Sequence, residues 1–485
     1  MEIESIRPFL AVAVSLIAAA GIVVARKSPN IREGFSLTAA GAKFLIVLTM
    51  IPAVIAGSTF NYTLFSVTSG ISIAFKVDAM GLLFAITASF LWILITLYSI
   101  GYMRSLNEHA QTRFYLCFAV ILSATMGVAF AANLLTLFIF YEIVSFFVYP
   151  LVVHNETEDS FSKGNKYIFY IFVMGKLFML AGFLVYGLSG TFDFDPKGVF
   201  PGDTSAFLLT VTFILFLIGI SKAAMIPFHA WLPAAMTGPM PVIASLAVID
   251  IGAFGILRAA YYLFGLETLK RLDLGFPLIV LACFTIVAAS VMALTKDDLK
   301  ARLVYSTIGQ ISYTLLGAAL LVSAGLTGGI LQLVNHGIAK ATLFFCAGAI
   351  FVVSGKTNVS QLNGIGKKMP WTMGAFTLGA LSIIGVPPFA GFISKWYLVL
   401  GAAEVEQYTA IGVLVLSSIL SASYLLPIVY AAFFRDLPEG ETSERQEAPM
   451  IMLVPIMIAA VGTLALFFAP SIFLDLARVV MGEVG

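Results

Sequence analysis

The chain has 485 residues, of which 60% are hydrophobic and only 11% are charged, and its formal net charge is +1 at pH 7. Its mean hydropathy of +1.01 excludes an ordinary soluble globular protein, because soluble domains carry roughly 25% charged residues. No segment is left over for a sizeable soluble domain. We therefore expect an all-α, multi-pass membrane protein that lies in the lipid bilayer and has no nucleic-acid partner.

Apolar stretches long enough to cross a bilayer core recur along the whole chain. A spanning helix needs about 20 such residues, and about 14 stretches qualify. The first follows Glu2 and Glu4 and precedes Arg26 and Lys27, the reverse of the charge order of a cleavable signal, so we expect it to be retained. The predicted spans are 7–25, 36–56, 78–101, 113–131, 132–153, 168–189, 207–226, 240–264, 275–294, 301–322, 330–353, 371–401, 410–433 and 450–475.

The basic residues between the predicted spans are distributed unequally between the two membrane faces. About 15 lysines and arginines fall on one side and about 5 on the other, and the richer side is expected to be cytoplasmic. An even number of spans then places both termini on the non-cytoplasmic side of the cell membrane. The most polar gap, 434–449, is predicted to be a cytoplasmic linker.

Glu142 is the first ionisable residue of interest along the chain, and it lies among aromatic residues in LFIFYEIVSFF. It is too deep in its span to be a loop residue. A charge at this depth indicates either a functional group or a fixed structural ion pair.

Lys222 lies in the stretch 219–241, GISKAAMIPFHAWLPAAMTGPMP, which ends a long apolar run. The prolines that follow it must break or kink the helix, and a broken helix survives in a membrane only beside protein or a water-filled cavity. Lysine and break together indicate a hydrated interior site. The alternative is a lysine near a helix end whose ammonium reaches the membrane surface.

A second lysine and a second break occur in LSIIGVPPFAGFISKWYLVL, where Pro387 and Pro388 precede Lys395. The recurrence about 170 residues later indicates an internal duplication of the kind found in inverted-repeat transporters. Between the breaks, His336 and Lys340 share one helix face at i, i+4 spacing, which suits proton exchange. A histidine alone would more often be a core residue. The ionisable groups placed inside predicted spans are Glu142, Lys176, Lys222, Asp250, Arg258, His336, Lys340 and Lys395.

Two of these groups, Lys176 and Arg258, lie near the ends of their predicted spans. For them, a long side chain that extends its charge to the membrane surface is as good an explanation as a functional role. Buried lysines with carboxylate neighbours can take and release protons, which is what a relay needs. The three cysteines, Cys117, Cys283 and Cys346, lie singly in apolar segments without metal or disulfide spacing. No haem, flavin, nucleotide or quinone motif is present, so we expect no cofactor and no metal.

Several long blocks resemble one known family. The blocks are FKVDAMGLLF (75–84), KAAMIPFHAWLPAAMTGPMPV (222–242), LTKDDLKARLVYSTIGQISY (294–313), NHGIAKATLFFCAGAI (335–350) and GVPPFAGFISKW (385–396). They are similar to the antiporter-like subunits of respiratory complex I, of Mrp-type sodium/proton antiporters and of membrane-bound hydrogenase-type complexes. Chain length and Lys395 favour the Mrp D-like and hydrogenase-like branch.

The resemblance implies 14 helices and two inverted five-helix repeats, each with a broken helix. It divides the chain into N-terminal helices (1–112), a first repeat (113–264), a second repeat (275–433) and a last helix (450–485). It also implies partners, namely other membrane subunits that include further antiporter-like ones.

The resemblance also assigns roles to residues. Glu142 and Lys222 match a glutamate and lysine that are thought to pair, His336 and Lys340 match the central histidine and lysine, and Lys395 matches the charged residue of the second broken helix. Asp250 departs from the family, because it stands where the pattern has lysine.

The residues and the resemblance together predict ion translocation without redox or hydrolytic chemistry in this chain. Protons would move along Glu142, Lys222, Asp250, His336, Lys340 and Lys395, and sodium/proton antiport is an open variant. Two alternatives remain: a stand-alone secondary transporter that binds its substrate at the broken helices, and a non-conducting structural subunit.

Overall fold

The computed structural model describes residues 1–68, 70–248, 250–440 and 444–482, and these ranges are predominantly helical. Two of the longest helices, α4 and α15, are almost entirely buried and form the centre. The helices are α1 Arg7–Val24, α2 Pro29–Leu48, α3 Ile51–Ile55, α4 Ala79–Ser105, α5 Gln111–Ala129, α6 Leu134–Val152, α7 Glu158–Ser189, α8 Ala206–Gly219, α9 Trp231–Ala234, α10 Met240–Val248, α11 Ile251–Ala259, α12 Leu266–Arg271, α13 Gly275–Leu294, α14 Leu299–Ala319, α15 Ser323–Ser354, α16 Ile365–Lys368, α17 Pro370–Ile384, α18 Ala390–Glu404, α19 Tyr408–Phe434, α20 Met450–Phe468 and α21 Ser471–Val480.

The helical, multi-pass architecture predicted from composition is confirmed. In the described ranges, eleven helices are long and apolar enough to cross a membrane, and two shorter apolar helices, α8 and α17, accompany them. The count of 14 spans is compatible with this finding, and the inversion of the two repeats stays a prediction. Residues 441–443 of the expected linker lie outside the described residues.

A small sheet at one end of the bundle was not predicted. It consists of β1 Glu2–Glu4, β2 Thr59–Thr68 and β3 Ile71–Val77, in the order β1-β2-β3. Strand β1 runs parallel to β2, and β2 runs antiparallel to β3. The two longer strands are rich in β-branched and aromatic residues, and Gly70 adopts a φ of +80° between them, so the sequence did contain a hairpin signal.

Several helices begin or end at other residues than predicted, and capping residues and prolines explain two of these differences. Helix α7 begins earlier, at Glu158, because Thr157 and Ser160 form a capping box. The predicted span 450–475 is divided, because α20 ends at Phe468 and Pro470 directly precedes α21. Helix α21 then packs on the two central helices α4 and α15.

The central helices approach each other through small residues. Helix α15 packs against α4, α10, α14, α17, α18 and α20. A Cβ at Gly317 of α14 would lie 2.6 Å from Gly329 Cα of α15, so glycine is needed for this close approach. Across the α4–α15 contact, the rings of Tyr98 and Phe345 stack with their centroids 4.3 Å apart.

We predict that Gly348→Ala destabilises the protein, because the added Cβ would stand 1.9 Å from the Tyr98 hydroxyl. Overpacking of this kind costs about 1–3 kcal/mol. The Tyr98 hydroxyl is buried without a hydrogen-bond partner in the described residues, so Tyr98→Phe should be tolerated and should restore much of the stability of Gly348→Ala. The thermal unfolding midpoint of the purified protein measures both effects.

Gly374→Ala is the matched control, because nothing lies within 4 Å of the Cβ that it adds. A Gly348→Ala variant as stable as this control would contradict the packing described here.

Candidate functional site

Lys222 lies at the first break, where α8 ends at Gly219 and a 3₁₀ turn, Ser221–Ala223, follows. Its side chain is only 6% exposed. The ammonium donates to the Tyr141 carbonyl at 2.9 Å and lies 3.9 Å from the centroid of the Tyr141 ring. The lysine is therefore held inside the bundle by a neutral carbonyl and an aromatic face, which is incompatible with a side chain that reaches the membrane surface.

Side chains from other helices satisfy the backbone groups freed by this break. The Trp231 indole donates to the Ser221 carbonyl at 2.9 Å, and the Ile226 amide donates to the Thr285 hydroxyl at 3.3 Å. Such partners are what a broken helix requires at membrane depth. The break predicted from lysine and proline is thus present, and it begins several residues before Pro227.

Glu142 is half-buried on α6, next in sequence to Tyr141. Its carboxylate packs against Gly175 of α7, where an added Cβ would stand 2.6 Å from Oε1. That oxygen has no hydrogen-bond partner among the described residues. The carboxylate is near enough to Lys222 and Lys176 for a Coulombic interaction, yet it forms no direct ion pair in the described structure, so the structural ion-pair alternative is disfavoured.

Lys176 is exposed on the outer surface of α7 and lies far from both helix ends. It follows Glu158 by 18 residues and precedes Ser189 by 13, which correspond to about 27 Å and 20 Å along the axis. Its ammonium lies 4.6 Å from the Phe172 ring centroid, so its described neighbour is an aromatic ring of the same helix. The two alternatives for Lys176, function and a side chain that reaches the membrane surface, both stay predictions.

Asp250 is 5% exposed and caps the N-terminus of α11. Its Oδ1 accepts hydrogen bonds from the amides of Gly252 (3.1 Å) and Ala253 (3.0 Å), while Oδ2 is buried without a described partner. The start of α11 touches the first break, because a Cβ at Gly252 would stand 2.3 Å from the Lys222 carbonyl carbon. Asp250 therefore lies close to the Lys222 turn and also caps the start of α11, a role that the sequence analysis missed.

His336 and Lys340 lie one turn apart on the central helix α15, and both are buried. The Lys340 ammonium donates to the Ser306 hydroxyl at 2.6 Å and to the Leu303 carbonyl at 3.1 Å, both on α14. Within the described ranges, Lys340 forms no ion pair with a carboxylate. The second buried lysine thus resembles the first in having neutral oxygen partners.

Lys395 lies on α18, directly after the second break. Its ammonium donates to the Ile383 and Ile384 carbonyls at 3.0 and 2.8 Å and to the Ser418 hydroxyl at 3.0 Å. The two carbonyls end α17, where a cation is favoured by the helix dipole. Gly385 makes room for the lysine, since it has a φ of +85° and an added Cβ would stand 2.7 Å from Lys395 Cδ.

A line of hydroxyl groups on α19 lies between Lys340 and Lys395, and the sequence analysis missed it. Ser306, which accepts from Lys340, is 2.8 Å from the Tyr424 hydroxyl, and this hydroxyl is 3.1 Å from Ser421. At the other end of the line, Ser418 accepts from Lys395. The motif SSILSASY (417–424) places these groups on successive turns, which is the signal that could have revealed them.

Arg258 is not a surface-reaching residue either, because it forms a buried ion pair with Asp78. Its guanidinium contacts both carboxylate oxygens and also donates to the Ala129 carbonyl at 3.3 Å. Asp78 in turn caps α4 by accepting from the Gly81 amide at 2.8 Å. This bidentate pair joins α11 to the start of α4, so a fixed structural role explains Arg258.

Lys43 is a buried ionisable residue that the sequence analysis overlooked, although it lies inside the predicted span 36–56. It is fully buried on α2, donates to the Leu122 carbonyl at 2.9 Å and lies 4.3 Å from the Trp92 ring centroid. Because α2 is outside both predicted repeats, Lys43 serves as a natural comparison for the lysines of the breaks and the central helix.

Known protein families match most of the chain. The family described as "NADH:quinone oxidoreductase/Mrp antiporter, TM" matches residues 131–421, and "NADH-Ubiquinone oxidoreductase (complex I), chain 5 N-terminus" matches residues 65–115. The first match contains all the predicted site residues, and the second contains the central helix α4.

Individual relatives are similar over most of the chain. NADH-quinone oxidoreductase subunit N of Desulforudis audaxviator is 30% identical over 481 residues, with 95% of each chain covered. A Na(+)/H(+) antiporter subunit of Alkalihalophilus pseudofirmus is 30% identical over 436 residues, which are 83% of this chain and only 53% of that relative. This chain thus spans about half the length of that antiporter protein.

A solved structure supports the fold. A chain of the Mrp complex from Dietzia sp. DQ12-45-1b aligns with a TM-score of 0.88 at 24% identity, and the alignment covers 99% of this chain and 98% of that one. At this level of identity the similarity establishes the fold alone.

We predict that Asp250→Ala lowers the free energy of unfolding by about 0.5–2 kcal/mol, because it removes the N-cap of α11. Asp250→Asn should cost much less, because an asparagine oxygen can accept the same two amide hydrogen bonds. Thermal unfolding of the purified protein compares the two variants. Equal losses in both would indicate that the charge of Asp250, and not its capping oxygen, stabilises the fold.

Proposed function

We propose a function that starts from family membership: the chain belongs to the NADH:quinone oxidoreductase/Mrp antiporter transmembrane family. In this proposal it is an ion-translocating subunit of a multisubunit membrane complex and moves protons along its buried lysines, with sodium/proton antiport as a variant. The relatives are complex I and Mrp antiporter subunits by name. The partners in this complex include other antiporter-like subunits. The redox or antiport chemistry that drives ion translocation takes place in these partners.

One observation carries the proposal: three buried lysines, Lys222, Lys340 and Lys395, donate their hydrogen bonds to neutral oxygens. Burial disfavours an ammonium, whereas hydrogen-bond acceptors and a helix C-terminus favour it. The two effects oppose each other, so a nearby charge that appears or moves can decide whether the amine holds its proton. A lysine locked in an ion pair would lack this sensitivity.

The charge that acts on Lys222 is provided by Glu142. The two groups interact without direct contact, so a small change in their separation alters their interaction steeply in a low-dielectric interior. Each 1.4 kcal/mol of such a change shifts a protonation equilibrium about tenfold. Motion of α6 or α7 therefore provides a physical means of driving the proton on Lys222.

Lys176 indicates where that motion begins. An exposed ammonium far from both ends of a spanning helix is costly in lipid, and aromatic side chains flank it on the same surface, including Phe169 and Phe172. We propose that a neighbouring membrane subunit covers this surface of α7 and supplies an acidic partner for Lys176. Such a partner would also act on Glu142, which lies against Gly175, the residue next to Lys176.

The α19 hydroxyls complete the path between Lys340 and Lys395. Hydroxyl groups donate and accept at once, so Ser306, Tyr424, Ser421 and Ser418 can pass a proton by reorientation, with water across the remaining gaps. His336 precedes Lys340 by one helical turn and comes before it in the proposed path.

The remaining parts of the proposal concern location and repeats. We propose the cell membrane as the location, with both termini on the non-cytoplasmic side, and inverted repeats at 113–264 and 275–433. The excess of basic residues on one face supports the orientation.

We predict that Lys222→Met lowers the ion flux at least about tenfold, because it removes an obligatory proton-transfer group. Proton and sodium fluxes are measured separately in vesicles that contain the complete native complex. Lys43→Met is the matched control, since it removes another fully buried lysine bound to a carbonyl. It should leave both fluxes near wild type at equal assembly.

Unchanged flux in Lys222→Met would mean that the chain is a structural subunit. Equal losses in both variants would mean that any buried lysine is needed for folding. Ion movement by the isolated chain would instead favour the stand-alone transporter.

We predict that Ser306→Ala and Tyr424→Phe each slow proton movement roughly three- to tenfold. Each variant removes one hydrogen-bonded hydroxyl from the path, a loss worth about 1 kcal/mol. Ser423→Ala, which removes an exposed hydroxyl of the same helix that bonds only to Ile419, should have no effect. Initial proton flux in the same vesicles distinguishes the variants, and a Tyr424→Phe variant as fast as Ser423→Ala would place the path elsewhere.

A further inference from the structure

Two histidines and a glutamate meet at one end of the bundle, away from the buried lysines. Glu108 and His109 lie in the turn between α4 and α5, and His154 lies in the turn between α6 and α7. The sequence analysis expected no metal and did not single out these histidines, which are 45 residues apart in the chain. The fold brings the three side chains together, and we call them the two-histidine cluster.

The three side chains are arranged like ligands of one ion. One ligand atom from each lies within 4.8 Å of the others. The His154 Nε2 and His109 Nδ1 atoms are 3.8 and 4.0 Å from Glu108 Oε2, which is too far for hydrogen bonds. Ligands of a tetrahedral zinc ion stand about 3.3–3.6 Å apart when each bond is about 2.0–2.2 Å, so side-chain rotations would bring these atoms to coordination distance.

His154 gives independent support for a ligand at this point. Its side chain is 0% exposed, and neither ring nitrogen has a hydrogen-bond partner in the described structure. Buried polar atoms are hydrogen-bonded in the large majority of cases. A buried imidazole that faces a carboxylate and a second imidazole without bonding to either indicates that a further group binds between them.

The charges around the cluster suit a divalent cation. Arg113 is paired with Glu156 and donates to the His154 carbonyl at 3.1 Å, and Lys300 acts on Glu108 without a direct contact. Neither ring nitrogen of His154 is engaged in a hydrogen bond among the described residues, so a nitrogen lone pair is available to a cation.

We propose that Glu108, His109 and His154 bind a divalent transition-metal ion of the zinc class. Two imidazoles and one carboxylate form a typical three-ligand zinc set with a fourth position open to water. His109, which is 49% exposed, leaves the ion a route from solvent. The bound ion joins the α4–α5 turn to the α6–α7 turn, and so holds the end of α6, the helix that bears Tyr141 and Glu142.

The test uses the complete complex, stripped of metal by a chelator and titrated with Zn²⁺. We expect one ion per chain to bind and to raise the thermal unfolding midpoint. His109→Ala should weaken binding by at least the roughly 10- to 100-fold seen when supporting partners of a metal site are removed. His154→Gln should do the same, and because His109 is exposed, its variant keeps the test valid if His154→Gln fails to fold.

His229→Gln is the matched control, because this half-buried histidine lies on another segment, between α8 and α9. It should bind Zn²⁺ like the wild type. Absence of Zn²⁺ binding by the wild-type complex, or binding that is undiminished in His109→Ala, would overturn the proposal. Both readouts are independent of ion transport, so they stand whether or not the chain moves protons.

Discussion

The cost of placing an ammonium group inside a membrane protein is the constraint on which this structure depends. A lysine away from water needs acceptors, which come either from the free carbonyls at a helix end or from the second lone pair of a carbonyl inside a helix. Lys395 obtains them from the end of α17, whereas Lys222 and Lys340 use the Tyr141 and Leu303 carbonyls inside α6 and α14. The second break therefore supplies acceptors to its lysine directly, whereas the first break places Lys222 beside a carbonyl of a neighbouring helix.

The centre of the fold must then admit polar groups without admitting lipid. Glycines bring α14 and α15 close enough for Ser306 to reach Lys340, and α19 contributes a line of hydroxyls where an apolar helix would have sealed the path. These hydroxyls carry no charge, so they cost little to bury once they are hydrogen-bonded. In the proposed function, the lysines would provide the charge and the serine and tyrosine hydroxyls would provide the hydrogen-bonded connections between them.

Much of this arrangement could be predicted from the sequence, and the part that could not has physical reasons. Lysine beside proline in an apolar run indicated both breaks. Proline interrupts the backbone hydrogen bonds of a helix, and a lysine at membrane depth is costly unless polar groups surround it. The ion pair between Asp78 and Arg258 joins residues 180 positions apart, and the pairing of Lys340 with Ser306 depends on how helices cross, so neither follows from local pattern. Lys43 could have been found, because it lies in the middle of a predicted span.

Asp250 shows why the sign of a charge is not enough to assign a role. A carboxylate where the family pattern has lysine suggests an altered relay, yet its Oδ1 is engaged by two amides of α11, and Oδ2 is buried without a partner among the described residues. The capping bonds hold the carboxylate in position, so helix capping explains Asp250 without a charge interaction with Lys222. In the proposed relay, Glu142 is the carboxylate whose movement would change the interaction with Lys222, because its Oε1 has no hydrogen-bond partner among the described residues to hold it in place.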